Sequence, residues 1–448
     1  MNVDEMINAC DNYMTCDNSR MIEDAYMAIG LNFIHYKNVY NVYGNMEIDY
    51  SDESFDDIVA DLTNIAEIYV RRERNQVFYK TCSVACNHCT GDNAYTARIT
   101  TRCNRDCFFC FVPDEDDNLE VISNNAIVED FLRKKKKNRS IESFAISGGE
   151  PLIVIDKTVD LFHEIREIEG DGIYLRLYTN ADYIEENALD KLQRVGLNEM
   201  RISVKPNEHL DSKKIQLIKK YIPKVVIELP VLPDAEDELF ALLDELEKTD
   251  IDGLNLVELF INGHNCEIFK QHKYTILMAD DVRNIGCAEF PFEYPIAESL
   301  PLSKRALKYV ASKQYHYFVN LCNQYTKQKQ YYYHNVHNNS LDLGKEIFDS
   351  DGNLLVLCIY SDFDEARRYL FENNIIYREN YNNNDLQSIQ VSAFYANDFE
   401  LNCDSSILSI SEGRPVWCKV NSVKNVCTNN SKIRGLKELI MNYKRKTK

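Results

Sequence analysis

Short apolar runs alternate with helix-length amphipathic segments through the middle of the chain. The runs that predict strands are ARITT, SFAIS, IYLRLYT, MRISV, VVIELP and LNLVELF, and the segments between them include KTVDLFHEIREIE, ALDKLQRVG and DELFALLDELEKT. Repeated β–α units of this kind predict a parallel sheet with right-handed crossovers. Six units predict an α/β fold with a partial (β/α)6 TIM-type barrel over residues 96–290, and YHYFVNL predicts a strand within an extension over residues 291–345.

The flanks of this alternation follow other patterns. Residues 1–80 predict a helical region, because SDESFDDIVADLTNIAEIYVRRE opens with N-capping residue types and continues with apolar residues at helical spacing: Ile58, Leu62, Ile65 and Ile68. Residues 81–95 form an upstream cysteine loop. Residues 346–448 predict a small α+β domain from NLLVLCIY, DFDEARRYLFENN and SIQVSAFYA, while YYYHNVHNN and NYNNND are typical of polar loops.

Composition narrows the classes of protein. The net charge of −20 argues against a general nucleic-acid surface, since phosphate binding needs clustered Lys and Arg. No apolar run reaches about 18 residues, so we expect no membrane span. The acidic N-terminus lacks the apolar core of a signal peptide, which favours a cytoplasmic location. Thiols stay reduced there, and the 15 cysteines therefore do not predict a disulfide framework.

Six cysteines crowd between Cys82 and Cys110, in two triads with the same C-x3-C-x2-C spacing. The second triad, Cys103, Cys107 and Cys110, follows the first predicted barrel strand, where active sites of β/α barrels form. Three thiolates can bind three irons of a [4Fe–4S] cluster, which leaves one iron open. An open iron can chelate an amine and a carboxylate, and S-adenosylmethionine (SAM) offers both.

The segment AISGGEP ends the second predicted barrel strand. Gly148 and Gly149 allow unusual dihedral angles and a close approach of the backbone to a ligand. Glu150 offers a carboxylate to an ammonium group, and Pro151 stiffens the exit from the turn.

Together these motifs resemble the radical SAM superfamily over about residues 96–265. The resemblance is carried by the second triad, by aromatic Phe109 before its last cysteine, and by GGEP one β–α unit later. It implies that the cysteines bind the cluster, that GGEP holds the methionine amine of SAM, and that the fold is a partial TIM barrel. It further implies an oxidoreductase-like enzyme that forms a 5′-deoxyadenosyl radical, receives its electron from flavodoxin or ferredoxin, and removes hydrogen from a small-molecule or peptide substrate.

Alternation along the strands indicates a polar cavity. Arg201, Ser203 and Lys205 share one face of their strand, whereas an ordinary barrel interior is filled by branched aliphatic residues. The candidates for binding the ribose and carboxylate of SAM are Thr179, Asn180, Ser203 and Lys205, and Glu228 lies on the same side. Polar residues at strand ends that simply face solvent are the alternative.

The first triad, Cys82, Cys86 and Cys89, precedes the barrel and is followed by no GGE-type turn at the right distance. It predicts a second [4Fe–4S] cluster or a zinc site, with His88 or a distant cysteine as fourth ligand. A different hypothesis takes the cysteines as C-x2-C-x17-C-x2-C, a zinc-ribbon spacing typical of a binding or scaffold protein without radical chemistry.

Further downstream, the sequence is similar to a group of radical SAM proteins of unassigned reaction that have an extra upstream cysteine motif. The similarity lies in CNRDCFFCF, IELPVLP, LNLVELFINGHN and a strand followed by Cys322, Lys and Gln. It implies that Cys322, Glu258 and Asn265 line the substrate end of the barrel, with Cys322 and Glu258, like Glu228, as candidate catalytic residues. A buried free cysteine and a turn-forming asparagine are the alternatives.

Overall fold

The computed structural model describes residues 3–13, 19–43, 46–49, 54–110, 122–138, 140–208, 211–262, 265–277, 294–349, 352–382, 385–396, 403–411, 414–419 and 431–446. The predicted boundary near residue 290 lies outside these ranges. Within them, none of the helices combines the length and the apolar character that crossing a bilayer requires.

Helices and strands alternate along most of the described chain. The helices are α1 (Val3–Tyr13), α2 (Ser19–Tyr43), α3 (Phe55–Val59), α4 (Val84–Thr90), α5 (Asn124–Lys137), α6 (Ile155–Glu169), α7 (Glu186–Arg194), α8 (Ser212–Lys219), α9 (Glu236–Leu246), α10 (Cys266–His272), α11 (Ser299–Lys313), α12 (Gln324–Asn339), α13 (Phe363–Glu372) and α14 (Ser431–Lys446). The strands are β1 (Ile48–Asp49), β2 (Ile68–Arg71), β3 (Gln76–Tyr79), β4 (Ala94–Thr100), β5 (Ser143–Gly148), β6 (Tyr174–Thr179), β7 (Glu199–Ser203), β8 (Lys224–Val231), β9 (Gly253–Glu258), β10 (Phe260–Ile261), β11 (Ile276–Leu277), β12 (Tyr294–Pro295), β13 (Phe318–Cys322), β14 (Leu354–Ile359), β15 (Tyr377–Asn382), β16 (Asp385–Ser392), β17 (Ser405–Ser411) and β18 (Arg414–Lys419).

The chain divides into two compact units, one of residues 45–331 and one that joins residues 1–44 to residues 332–448. The unit of residues 45–331 contains a nine-stranded sheet in the order β2-β3-β13-β9-β8-β7-β6-β5-β4. Strands β4 to β9 are sequential parallel neighbours, β13 joins them in parallel, and β2 and β3 add an antiparallel edge. The α/β fold class is confirmed, and each of the seven predicted strands coincides with an observed one.

The two faces of this sheet differ in polarity. Alternate residues of each strand, such as Leu177, Met200 and Ile227, join the main apolar core, which also takes in residues of the surrounding helices. The residues between them include buried Arg176 and Arg201, which face the inner side. Alternation therefore gives the sheet an apolar outer face and a charged inner face, and the charged face is the one that a barrel encloses.

Two local expectations differ from the structure. The helix expected across SDESFDDIVADLTNIAEIYVRRE is limited to α3, which begins at a capping box on Ser54, and Ile68 belongs instead to strand β2. Tertiary pairing explains this, because β2 pairs with β3 and β3 pairs with β13, far away in the sequence. The segment YYYHNVHNN, expected as a loop, lies in helix α12.

The second unit has its own two clusters of apolar residues. Its sheet has the order β15-β16-β14-β17-β18, with antiparallel pairing throughout. One cluster joins α1, α2 and α14 to one face of β14, and the other places α13 against β14 and β16. The strand, helix and strand expected in residues 346–448 correspond to β14, α13 and β16.

Candidate active site

The second cysteine triad lies on the loop that leaves the carboxyl end of β4. Cys103 is exposed, and Cys107 and Cys110 are half-buried. The backbone N–H of Cys110 donates to the carbonyl of Cys107 at 2.8 Å, which closes a tight turn between the last two cysteines. Three reachable thiols on one short loop are the donor set that an open-cornered [4Fe–4S] cluster requires.

Arg105, between the first two of these cysteines, holds the loop in place. Its guanidinium forms a two-pronged pair with Asp182, with Nε–Oδ2 at 2.7 Å and Nη2–Oδ1 at 2.6 Å, and it also contacts Glu208 at 2.9 Å. The hydrogen bonds from Arg105, helped by Asn104, hold the pKa of Asp182 below its ordinary value. The sequence did not predict a role for Arg105. Its position between two cysteines does not show that Asp182 and Glu208, in the loops after β6 and β7, lie next to it.

The GGEP segment contacts the start of the cysteine loop through its backbone. The N–H of Gly149 donates to the carbonyl of Thr100, and the N–H of Glu150 to that of Arg102, both at 2.7 Å. Gly148 has a φ of +135°, which favours glycine, and a Cβ on Gly149 would lie 2.1 Å from the Arg102 carbonyl oxygen. The two glycines therefore let the two motifs meet backbone to backbone.

Glu150 braces this turn from inside. The residue is 0% exposed; Oε1 accepts from the Thr179 hydroxyl at 2.8 Å and from the Leu152 N–H at 2.9 Å, and Oε2 accepts from the Asn180 N–H at 2.6 Å. Burial raises the pKa of Glu150, and these hydrogen bonds oppose the rise. The side chain also caps the short turn that starts at Pro151, and its contact with an ammonium group stays a prediction.

The remaining candidates for SAM binding surround the thiols to different degrees. The Asn180 amide lies 3.9 Å from the Cys103 sulfur and donates to Asn104 at 2.7 Å. Burial raises the pKa of the Cys107 thiol, whereas the adjacent Lys205 lowers it, which helps to form a thiolate. Ser203 is exposed at the end of β7. Phe109 packs edge-on to Phe108 at 5.4 Å.

The charged inner face of the barrel surrounds the first triad rather than the second. Arg201, 2% exposed, donates from Nε to Glu199 at 2.6 Å and from Nη1 to Glu228. Its Nη2 donates to the Ser83 hydroxyl at 3.0 Å and to the Cys86 sulfur at 3.1 Å. Arg201 and Glu228 therefore lie on one face, as strand alternation predicts, and Arg201 connects them to the upstream cysteine helix α4.

A chain of amides continues this network to Cys82. Glu228 accepts from Asn255 at 2.8 Å, Asn255 from Asn320 at 2.6 Å, and Asn320 from Gln76 at 3.3 Å. Gln76 also donates to the Cys82 sulfur at 2.9 Å. Both oxygens of Glu228 accept hydrogen bonds from side chains of the barrel, and its catalytic role stays a prediction.

The first triad combines buried thiols with one helix face. Cys82 and Cys86 are buried, Cys89 is half-buried, and Ser83 caps α4 by accepting from the Cys86 N–H at 3.0 Å. The hydrogen bond from Cys82 to Cys86 raises the pKa of Cys82 and lowers that of Cys86, where Arg201 adds to the lowering. His88 Nε2 lies 3.3 Å from Glu142, so this nitrogen is engaged elsewhere.

The zinc-ribbon hypothesis does not fit this arrangement. Cys86 and Cys89 precede β4 and Cys107 and Cys110 follow it, and a strand of this length separates its two ends by about 20 Å. Among the described residues, no three His, Cys, Asp or Glu side chains lie close enough together to hold a single metal ion. A [4Fe–4S] cluster makes a different demand, because each thiolate binds its own iron.

The predicted substrate-end residues separate into two environments. Glu258 is buried, accepts from the Gln324 N–H at 2.6 Å, and has an Oε1 without a hydrogen-bond partner in the described structure. Burial raises the pKa of Glu258 to about 7. Burial also raises the pKa of Cys322 to about 12, and Glu228, Cys89 and Cys86 add to the rise. Asn265 contacts the backbone of Asn262 and Phe260, which is turn chemistry.

Comparison with known proteins identifies the class to which this fold and site belong. Residues 97–228 match the family model described as the Radical SAM superfamily. The segment that carries the second cysteine triad and GGEP therefore matches a radical SAM domain, which supports an enzyme whose specific reaction the match leaves open. The family implies a [4Fe–4S] cluster and SAM as cofactors.

Relatives with provisional names give the extent of the similarity. A protein of Methanocaldococcus jannaschii, provisionally named a glycyl-radical enzyme activating enzyme, is 27% identical over 335 residues, covering 70% of this chain and 83% of that protein. A protein of Saccharolobus islandicus, provisionally named a GTP 3′,8-cyclase, is 24% identical over 201 residues, covering 42% and 61%. The solved structure of Streptococcus suis SuiB bound to S-adenosylmethionine aligns with a TM-score of 0.36 and 18% identity, covering 51% of this chain and 49% of SuiB.

Proposed function

We propose that this chain cleaves SAM reductively at a [4Fe–4S] cluster held by Cys103, Cys107 and Cys110, and that the 5′-deoxyadenosyl radical removes a hydrogen atom from a substrate. When bound and reduced by a donor such as flavodoxin or ferredoxin, the cluster supplies the one electron that breaks the C–S bond to release methionine. The observation that carries the proposal is the backbone contact between the cysteine loop and GGEP.

The residues of this chain then have separate tasks. Cys103, Cys107 and Cys110 supply the thiolates, and Lys205 favours the charged form of the Cys107 thiol. Arg105 and the GGEP turn both hydrogen-bond to groups around the loop, and these contacts help to order it. Preorganised ligands avoid a cost of ordering when the cofactor binds.

Asn180 and Lys205 are proposed to contact SAM, because both lie beside the thiols. Ser203 is proposed for the same role at the exposed end of β7, and Gly148 and Gly149 contribute backbone groups. Thr179 acts as a positioning residue, since its hydroxyl donates to Glu150 and accepts from the Ala181 N–H at 2.9 Å.

The test is anaerobic turnover of reconstituted protein with SAM and dithionite, with methionine and 5′-deoxyadenosine counted by mass spectrometry. Wild type should form both products, and Cys107→Ala should reduce them to background. Cys403→Ala, a half-buried cysteine of the other unit, is the matched control and should resemble wild type. Product formation that survives Cys107→Ala would overturn the assignment.

The substrate is proposed to be a peptide or protein backbone rather than a small molecule. This proposal draws on the M. jannaschii relative, whose provisional name assigns it glycyl-radical enzyme activation and of which the alignment covers 83%. A deuterated cell extract, separated into protein and small-molecule fractions, distinguishes the sources. Deuterium should enter 5′-deoxyadenosine from the protein fraction, and entry from the small-molecule fraction alone would contradict the proposal.

Glu258 is proposed to face the substrate together with Gln324. Both are buried, and Glu258 Oε1 and the Gln324 side-chain amide have no hydrogen-bond partners within the described residues. Buried polar atoms without partners cost about 1–3 kcal/mol each, which a bound polar group offsets. Glu258 ends β9, at the carboxyl edge where barrel enzymes bind their substrates.

We also propose that the upstream cysteines Cys82, Cys86 and Cys89 bind a metal centre of their own. Support comes from the two buried thiols of Cys82 and Cys86, from the hydrogen bond that Arg201 donates to the Cys86 sulfur, and from the lowered pKa of Cys86, since metal ligands must be deprotonated. Metal analysis of a variant that lacks the second triad tests this site without any need for activity.

A further inference from the structure

We propose that Cys322 is the fourth thiol of the upstream metal centre and that this centre is a fully coordinated [4Fe–4S] cluster on the inner face of the barrel. The inference rests on the metal centre proposed above for the upstream cysteines. It does not depend on SAM cleavage at the other triad.

Strand register places Cys322 opposite Gln76, the residue that donates to the Cys82 sulfur, and Cys86 and Cys89 lie close enough to act on the Cys322 thiol. Strand β13 runs antiparallel to β3 and pairs Asn320 with Phe78 and Leu321 with Val77, so the next opposed pair is Cys322 with Gln76. Opposed residues of an antiparallel pair share a face. The Gln76 amide donates to the Cys82 sulfur at 2.9 Å, and Asn320 Oδ1 lies 3.9 Å from that sulfur.

Helix α4 carries the other two thiols to the same enclosed space. Cys86 and Cys89 are three residues apart and therefore share one face of the helix. The Cys86 sulfur accepts from Arg201 at 3.1 Å, which directs this face toward the middle of the barrel. Cys82 comes from the segment between β3 and α4, Cys322 from the end of β13, and Cys86 and Cys89 from the helix.

A buried N–H donor of Arg176 gives independent support for a group that accepts hydrogen bonds at this place. The residue is 1% exposed, and its Nε is buried without a hydrogen-bond partner in the described part of the chain. Its guanidinium lies over the Tyr178 ring, 4.9 Å from the centroid. Cluster and thiolate sulfurs accept N–H hydrogen bonds of this kind, which also tune the reduction potential.

The arrangement favours a four-iron cluster over zinc. Four zinc ligands must converge on one atom at about 2.3 Å from each sulfur. Among the described residues, no group of three or more His, Cys, Asp or Glu side chains is placed to hold one metal ion. In a cubane each thiolate binds a separate iron, so thiols that come from a loop, a helix and a strand can each reach their own iron.

The test uses a background in which Cys103, Cys107 and Cys110 are all Ala, so that only the upstream centre can load. After anaerobic reconstitution this variant should contain about four iron and four sulfide per chain. Adding Cys322→Ser should lower the iron at least twofold or convert the EPR signal of the reduced protein to that of a three-iron cluster. Adding Cys403→Ser should change neither.

Alkylation gives a second measurement that needs no substitution at Cys322. In the loaded background variant, Cys322 should be protected from iodoacetamide and should become labelled after chelation removes the iron, whereas Cys403 should label in both states. The proposal is overturned by an unchanged iron content and EPR signal with Cys322→Ser, by labelling of Cys322 in the loaded protein, or by zinc in place of iron. Failure of wild type to cleave SAM would overturn only the proposed function.

Discussion

Gly149→Ala tests the backbone contact between the two motifs most directly. The added Cβ would lie 2.1 Å from the Arg102 carbonyl oxygen, whereas ordinary contacts begin at 3.4 Å. The loop must therefore move by about 1.3 Å, and both obstructing groups are backbone, which cannot rotate away. The movement separates the donors and acceptors of the two hydrogen bonds, from Gly149 to Thr100 and from Glu150 to Arg102.

The size of the effect follows from these contacts. Two backbone hydrogen bonds contribute about 1 kcal/mol each and overpacking costs about 1–3 kcal/mol, so we expect a local cost of about 3–5 kcal/mol. If about 1.4 kcal/mol of this cost reduces the free energy of SAM binding, the affinity for SAM falls tenfold. The same movement displaces Cys103, one residue after Arg102, so cluster retention should fall as well.

The assay is equilibrium dialysis of labelled SAM against anaerobically reconstituted protein, with urea unfolding followed by circular dichroism. Gly172→Ala is the matched control, because its Cβ would meet nothing within 4 Å. We expect Gly149→Ala to weaken SAM binding at least tenfold and Gly172→Ala to leave it unchanged. Equal affinity and equal stability of the two variants would refute the steric reasoning.

Three further changes test charge and burial. Burial raises the pKa of Glu258 from 4.5 to about 7. Its contribution to the free energy of unfolding is therefore fully present below about pH 4.5 and is lost as the pH rises through 7. The loss amounts to about 3 kcal/mol. Glu258→Gln should remove this decline of the free energy of unfolding between about pH 5 and 8, measured by urea unfolding. If the free energies of wild type and variant changed with pH in parallel, the result would contradict this prediction. Arg105→Ala should cost about 1–3 kcal/mol and lower iron retention after gel filtration, unlike Arg133→Ala on an exposed helix face. Arg201→Met leaves two buried carboxylates unpaired and should cost about 3–5 kcal/mol, with partial recovery when Glu228→Gln is added; equal unfolding midpoints would count against this network.

The sequence predicted best those features that depend on the geometry of neighbouring residues in the chain. Alternation of apolar residues along short runs predicted the barrel strands and the inward direction of Arg201, because strand geometry fixes side-chain direction every second residue. The predicted helix extends beyond the observed end of α3, because Ile68 fits the spacing of a helix and the pattern of a strand equally well. The pairing of β2 with β3, and of β3 with β13, stabilises Ile68 in a strand.

The polar network could not be predicted because its members are distant in sequence. Gln76 and Asn320 are 244 residues apart and meet only because β3 lies next to β13. The same sheet order brings Cys322 to the strand that carries Gln76, which the sequence does not reveal. Its strand position was visible in the sequence, but the neighbour of that strand was not.

The unit that joins residues 1–44 to residues 332–448 has a consequence for biosynthesis. Helix α1 packs with α14 and helix α2 packs with β18, so residues 1–44 leave the ribosome long before the segment that packs against them has been synthesised. Until then the apolar residues Met6, Ile22 and Ile29 lack the partners that bury them. Nascent chains of this protein should therefore depend on chaperones through most of translation, even after the intervening barrel has been synthesised.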